Sequence, residues 1–207
     1  MKLRVFNILK KTKVEGPGTR YCIWVQGCSR HCKGCQAVHT WPHSGGKLIE
    51  VKEIIADIAA QKDIEGVTFL GGEPFEQPEA LGIIAENVRK AGLSVLCFTG
   101  ALIEDLRVNP LNKKLLNNID LLIDGEFMID KIDYSRPWCG SSNQRYHFLT
   151  SRYNDEIFAK YKNKVEVNIS KSGVIFMNGM GNFDEILQKI DLVMLKKRYK
   201  EIMIVRV

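Results

Sequence analysis

The chain has 207 residues and a formal charge of +6, about the length of one domain or a small pair. With 45% hydrophobic and 26% charged residues it has ample core material, which excludes disorder and collagen-like repetition. No apolar run reaches the ~20 residues of a spanning helix, and Met1-Lys-Leu-Arg-Val-Phe6 lacks the apolar stretch of a signal peptide, so a cytoplasmic protein is expected.

In chain order, Tyr21 to Gln26 reads as one strand. Gly27 to Gly46 is dense in Cys, Gly, His and Pro and reads as a long loop, a kind that is usually functional. Val51, Ile54, Ile55, Ile58 and Ala59 mark one face of a helix, and Val67 to Leu70 a short buried strand. A second helix carries Leu81, Ile84, Ala85, Val88 and Ala91 and stops at Gly92. Ser94 to Phe98 is a strand, Leu102 to Asn117 helical material broken at Pro110, and Asp120 to Ile123 another strand. Strands alternating with helices at this spacing predict βαβ units and a parallel sheet. After residue 150, Val165 to Ile169 and Val174 to Met177 flank Lys171-Ser-Gly173 as a hairpin. A last helix from about Phe183 carries Ile186, Leu187, Ile190 and Met194 on one side. This divides the chain into a core of residues 1–150 and an extension of 151–207 packed on it. The basic run at 196–200 closes that helix and complements its dipole.

Cys28, Cys32 and Cys35 fall within eight residues, while Cys22, Cys97 and Cys139 are scattered. Clustered thiols in a chain without an export signal point to metal, not to disulfides. Three thiolates on one tight loop can each hold one iron of a cubane cluster and leave the fourth iron open. Zinc is the alternative, with His31, His39, His43 or Cys22 as fourth ligand, although no second cysteine pair follows. A ferredoxin-type carrier would supply four cysteines. Gly71-Gly-Glu-Pro74 directly follows the strand ending at Leu70, at the strand end where ligands gather in parallel sheets. Its glycines let backbone approach a ligand, and Glu73 offers a carboxylate for an ammonium group. Thr99 and Asp124 follow the next two strands and belong to the same sheet edge, as binding residues or as helix N-caps.

Cys-x₃-Cys-x₂-Cys, with Gly-Gly-Glu-Pro beginning 36 residues after Cys35, resembles the radical S-adenosylmethionine (SAM) enzymes. Gly16-Pro-Gly-Thr-Arg20, Trp24-Val-Gln-Gly-Cys28, Gly34 and Thr40-Trp41 resemble the activating proteins of glycyl radical enzymes, among them those of the anaerobic ribonucleotide reductase. Asp124-Gly-Glu-Phe127 and Gly140-Ser-Ser-Asn-Gln-Arg145 are similar to further motifs of that group. The resemblance implies an incomplete parallel β/α barrel and a [4Fe–4S] cluster on Cys28, Cys32 and Cys35, with SAM chelating the open iron. It implies that Gly71, Gly72 and Glu73 bind the SAM amino group, with Thr99 and Asp124 near the ribose or carboxylate. One electron through the cluster would then give methionine and a 5′-deoxyadenosyl radical that takes hydrogen from a glycine Cα of a partner enzyme, with flavodoxin or ferredoxin as reductant. The 7-carboxy-7-deazaguanine synthases are small radical SAM proteins acting on a small molecule, and similar motifs serve both classes. A zinc-bound interaction module is the third reading. No second cysteine-rich insert suggests an auxiliary cluster, and Cys139 reads as a small buried residue.

Residues 1–35 hold eight Lys or Arg and one acid, so the positive surplus lies in this segment. It is expected to mark the cluster end of the molecule and to offset a negative cluster or face an acidic partner, not nucleic acid or membrane.

Overall fold

The computed structural model describes residues 1–171, 173–190 and 203–206. Its strands are β1 (Lys2–Thr12), β2 (Arg20–Val25), β3 (Lys47–Glu50), β4 (Gly66–Gly71), β5 (Ser94–Phe98), β6 (Leu121–Asp124), β7 (Arg145–Phe148), β8 (Val165–Ile169), β9 (Val174–Gly179) and β10 (Met203–Arg206). The helices are α1 (Val51–Ala59), α2 (Pro78–Lys90), α3 (Ile103–Val108), α4 (Lys113–Leu116), α5 (Glu156–Lys160) and α6 (Phe183–Lys189). The expected interruption near Pro110 separates α3 from α4.

Seven strands form one sheet in the order β3-β1-β2-β4-β5-β6-β7. Only β2, β4, β5 and β6 run parallel. β1 is antiparallel to both β2 and β3, and β7 is antiparallel to β6. The expectation of a parallel sheet is thus corrected to a mixed one with a parallel centre. β1 mixes apolar residues with Lys2, Arg4, Lys10 and Lys11, and its burial is partial, so it gives no clean two-residue alternation to read. β3 and β7, at four residues each, give still shorter cues.

Both faces of the parallel strands are buried, and side-chain alternation assigns each residue to one of them. Tyr21, Ile23, Val25, Val67, Phe69, Val95, Cys97 and Leu122 face Val51, Ile54 and Ile58 of α1 and Leu81, Ile84, Ala85 and Val88 of α2. Leu81 and Ile84 are wholly buried, each contributing about 1.5–3 kcal/mol of transfer free energy. Cys22, Trp24 and Leu70 turn the other way and pack with Phe98 and Phe176. Leu96, Leu121 and Ile123 on that second face pack with Trp138, Cys139 and Ile157.

The hairpin expected after residue 150 is present as β8 and β9, with Val165 opposite Gly179. β10, which the sequence reading did not anticipate, adds parallel to β9. This three-stranded sheet and α6 have their own core of Ile175, Met177, Phe183 and Leu187. α6 is shorter than expected and ends at Lys189; Met194, the 196–200 run and the turn residue Ser172 lie outside the described residues. No helix among the described residues is long and apolar enough to cross a membrane.

Candidate functional site

Four adjacent parallel strands present their carboxyl ends along one edge. β2 leads to Gly27 and Cys28, β4 to Gly72 and Glu73, β5 to Thr99 and Gly100, and β6 to Asp124 and Gly125. A cavity of about 130 Å³ opens there, lined by Cys28, Cys32, Cys35, Gly71, Gly72, Glu73 and Thr99, with Arg30, Trp41, Phe98, Phe127 and Gln144 around them. The three clustered cysteines and four of the five other predicted site residues thus share one wall system.

The cysteine loop is closed at its base by Gly27 N–H donating to Thr40 O (2.7 Å) and Cys28 N–H to Trp41 O (3.0 Å). Glu73 N–H donates to Gly27 O at 2.8 Å and ties the loop to the strand β4 exit. A Cβ on Gly72 would lie 2.1 Å from that same Gly27 O, and one on Gly71, at φ +105°, 2.7 Å from Trp24 Cα. The glycines are therefore required by the close approach of the chain to itself. Close approach of a ligand is the expectation for the same two glycines, and both also line the cavity.

Burial pushes the Cys28 thiol above its ordinary range, against backbone N–H groups of Arg30 and His31. Burial likewise pushes Cys32 up to about 11, with Glu126 and the other two thiols adding to the rise. A metal must therefore displace protons to bind here. No three His, Cys, Asp or Glu side chains among the described residues are spaced to hold a single metal ion. Of the four candidate zinc partners, exposed His39 makes no side-chain hydrogen bond among the described residues, and the other three each have neighbours of their own. His43 Nε2 pairs with Glu76 Oε2 at 2.7 Å, His31 stacks on Trp41, and Cys22 is buried on the second sheet face. Three thiols on the wall of one cavity suit a cluster with one open iron.

Glu73 is the most heavily bonded side chain of the site. Its Oε1 accepts from Thr99 Oγ1 (2.7 Å) and Phe75 N–H (3.0 Å), its Oε2 from Gly100 N–H (3.0 Å) and Arg30 Nε (3.1 Å). Burial raises its pKa in spite of these four donors. Arg30 was not singled out by sequence, because one arginine within a cysteine loop carries no spacing signal. The Thr99 hydroxyl donates to Glu73 and accepts from Ala101 N–H at 3.0 Å, a turn bond ahead of α3, whose N-cap residue is Leu102.

Asp124 is not brought to the cavity wall; Gly125 is. Its buried carboxylate accepts from Arg145 Nε (2.9 Å) and Nη2 (2.6 Å) and from Ile103 N–H (2.8 Å) at the start of α3, with His147 Nε2 at 3.0 Å. Burial works to raise its pKa, and these partners outweigh it and hold the carboxyl low. Asp124 is not the N-cap residue of α3, which is Leu102, but it bonds the first N–H of that helix from the end of β6. Cys139 is fully buried beside Trp138, as expected.

The basic surplus does not collect at the cluster end. Lys2, Lys10 and Lys11 pair with Glu50, Asp57 and Asp63, and Arg20 is buried beneath Thr68 and Ser94. Of the segment's charges, Arg30 lines the cavity. Adjacency in sequence failed here because β1 runs beside β3 and α1.

The 4Fe-4S single cluster domain family matches residues 14–147. Anaerobic ribonucleoside-triphosphate reductase-activating proteins are similar along nearly their whole length. That of Pasteurella multocida is 32% identical over 146 residues, covering 66% of this chain and 92% of its own. Those of Salmonella typhi and Escherichia coli K12 are 34% and 33% identical with the same coverage. The crystal structure of QueE from Escherichia coli aligns with a TM-score of 0.40 at 20% identity, over 48% of this chain and 53% of that one. An iron–sulfur cluster and SAM are the cofactors of this group, and the cavity's three thiols fit the first of them. The chain belongs to the 4Fe-4S single cluster domain family and, within it, to the radical SAM enzymes known as anaerobic ribonucleoside-triphosphate reductase-activating proteins.

Proposed function

We propose that this enzyme installs a glycyl radical in an anaerobic ribonucleotide reductase, using a [4Fe–4S] cluster held by Cys28, Cys32 and Cys35. The observation that carries the reading is the convergence of these thiols with Gly71, Gly72, Glu73 and Thr99 on one cavity at the carboxyl ends of β2, β4 and β5. Cys28, Cys32 and Cys35 would hold the cluster, which would supply the one electron needed to cleave the C5′–S bond of SAM to methionine and a 5′-deoxyadenosyl group able to take one hydrogen atom from a glycine Cα. Flavodoxin or ferredoxin returns the electron.

The chain's own residues prepare this step. Gly27 O and the Gly72 approach hold the cysteine loop against the β4 exit. Glu73 provides the negative charge for the ammonium of SAM, and Thr99 and Gly100 fix its carboxylate in place. Asp124 acts from behind the wall by anchoring α3 and Arg145. Trp41, Phe98 and Phe127 keep water from the reacting atoms. The four parallel strands would form part of an open β/α barrel in residues 1–150, with 151–207 as an extension. Six free cysteines are compatible with the reducing cytoplasm as its location.

The test is anaerobic incubation of iron-reconstituted protein with SAM, a reductant and the reductase. Wild type is expected to form 5′-deoxyadenosine and a glycyl radical, and Cys32→Ala neither, with iron lost. Deoxyadenosine without a radical on the reductase would move the substrate to a small molecule. Iron retention and activity in Cys32→Ala would refute the ligand assignment.

A further inference from the structure

A carboxylate offers about four lone-pair sites, and all four on Glu73 are taken. Three of the donors are fixed. Phe75 and Gly100 give main-chain N–H groups, and the Thr99 hydroxyl is itself held by Ala101 N–H at 3.0 Å. The fourth, Arg30 Nε, belongs to a long side chain at the cavity rim that is 36% exposed. Arg30 is therefore the donor that can leave.

The cavity wall makes room for this arginine. A Cβ on Gly100 would lie 2.5 Å from Arg30 Cδ, so the glycine gives the arginine stem its path to Glu73. The main-chain N–H of Arg30 bonds the Cys28 thiol, so one residue links a cluster ligand to the carboxylate. Among the residues lining the cavity, Arg30 carries the one positive charge. Its Nη1 and Nη2 make no hydrogen bond or ion pair among the described residues. The fork of the guanidinium is thus available to an anion.

We propose that Arg30 is a positioning residue for the α-amino acid end of SAM: it holds Glu73 until the amino group takes its place, and its guanidinium then pairs with the carboxylate on the same carbon. The proposal rests on the reading that Glu73 receives the SAM amino group. With all its lone-pair sites taken, Glu73 can accept that group only by losing a donor, and an exposed side chain yields before main chain does. An α-amino acid carries both groups on one carbon, so the ligand that releases Arg30 also brings it an anion. The guanidinium presents its N–H groups in a fixed fork that matches a carboxylate. The exchange keeps both charges paired, whereas removing one partner of a buried pair is costly. A ligand with the amine alone would leave Arg30 unpaired, which makes Arg30 a selector for the whole amino acid.

The test uses the reconstituted holoenzyme without oxygen and reads equilibrium binding of two probes: SAM, and decarboxylated SAM, which keeps the amine and sulfonium but lacks the carboxylate. Arg30→Met is expected to raise Kd for SAM at least tenfold while Kd for decarboxylated SAM stays within threefold or falls. Arg30→Lys keeps the charge without the fork and is expected to bind SAM about threefold more weakly than wild type. Iron content and the unfolding midpoint show that each variant is folded; should Arg30→Met fail them, Arg30→Lys carries the same comparison. Should decarboxylated SAM not bind the wild type, KM for SAM in 5′-deoxyadenosine release decides, rising at least fivefold in Arg30→Met and less in Arg30→Lys. Equal losses for both probes, as a purely structural pin would give, or unchanged Kd and KM for SAM in Arg30→Met, overturn the proposal alone. Glu73→Gln is expected to weaken both probes; unchanged affinity for both overturns the Glu73 assignment and the proposal with it.

Discussion

Arg30 Nε lies 3.1 Å from Glu73 Oε2 and joins the cysteine loop to the turn after β4 by an ion pair. Glu73 is buried while the Arg30 side chain is 36% exposed, so the pair sits at the rim with its carboxylate inside. The carboxylate already accepts four bonds, and any ammonium drawn to it competes with Arg30 for these lone pairs.

Glu73→Gln keeps the shape and reverses the chemistry at one oxygen. An amide N–H₂ would then face either Gly100 N–H and Arg30, or Thr99 and Phe75 N–H, leaving donors opposed to donors. The expected cost is about 1–3 kcal/mol of stability, read by denaturant unfolding. SAM affinity, followed through the change it causes in the reduced cluster's EPR signal, is expected to fall at least tenfold.

Gly72→Ala sets a Cβ at 2.1 Å from Gly27 O. Backbone on both sides prevents relief by a rotamer change, so the cysteine loop must move from β4. The expected result is poor iron incorporation and loss of SAM cleavage in protein that still folds. Iron and sulfide analysis with far-UV circular dichroism checks it.

Asp124→Asn distinguishes an anchor from a ligand. The variant weakens the bonds to Arg145 and retains one acceptor for Ile103 N–H. Stability is expected to drop by about 1–3 kcal/mol, while SAM affinity stays within about threefold. A much larger loss of SAM affinity with unchanged stability would place Asp124 in contact with SAM instead.

Glu15 gives the stability a pH dependence of predictable sign. Burial raises its pKa from 4.5 to about 7, with Glu166 of β8 adding to the rise and Asn178 and Gly179 N–H opposing it. The folded chain therefore binds this proton more tightly than the unfolded chain. Its contribution is full below about pH 4.5 and is lost as pH rises through about 7. The span corresponds to on the order of 3 kcal/mol. Glu15→Gln is expected to match wild type near pH 4.5 and to exceed it in stability at pH 8. Urea unfolding at a series of pH values, wild type against variant, measures the difference.

Short-range pattern alone located much of this molecule. Cys28, Cys32 and Cys35 are legible because a metal loop needs its thiols within a few residues. Gly71 to Glu73 stood out because the motif follows a buried apolar run, and α1 and α2 declared themselves by helical periodicity. The second sheet face was not legible: Trp24, Leu70 and Phe98 read as ordinary strand residues until Phe176 and Met180 are brought over them from more than 75 residues away in sequence. The roles of Arg30, Asp124 and Glu15 were equally hidden, since each depends on a partner in another element: Glu73, Arg145 and Gly179. Charge misled for the same reason. A run of lysines along β1 sums to a surplus in sequence and is offset in space by Glu50, Asp57 and Asp63. Sequence by itself determined which chemistry the loop can support, because ligand type and spacing are local properties. Tertiary structure decided which carboxylate faces the cavity and which cation meets it, because burial and charge pairing are settled only where distant segments meet.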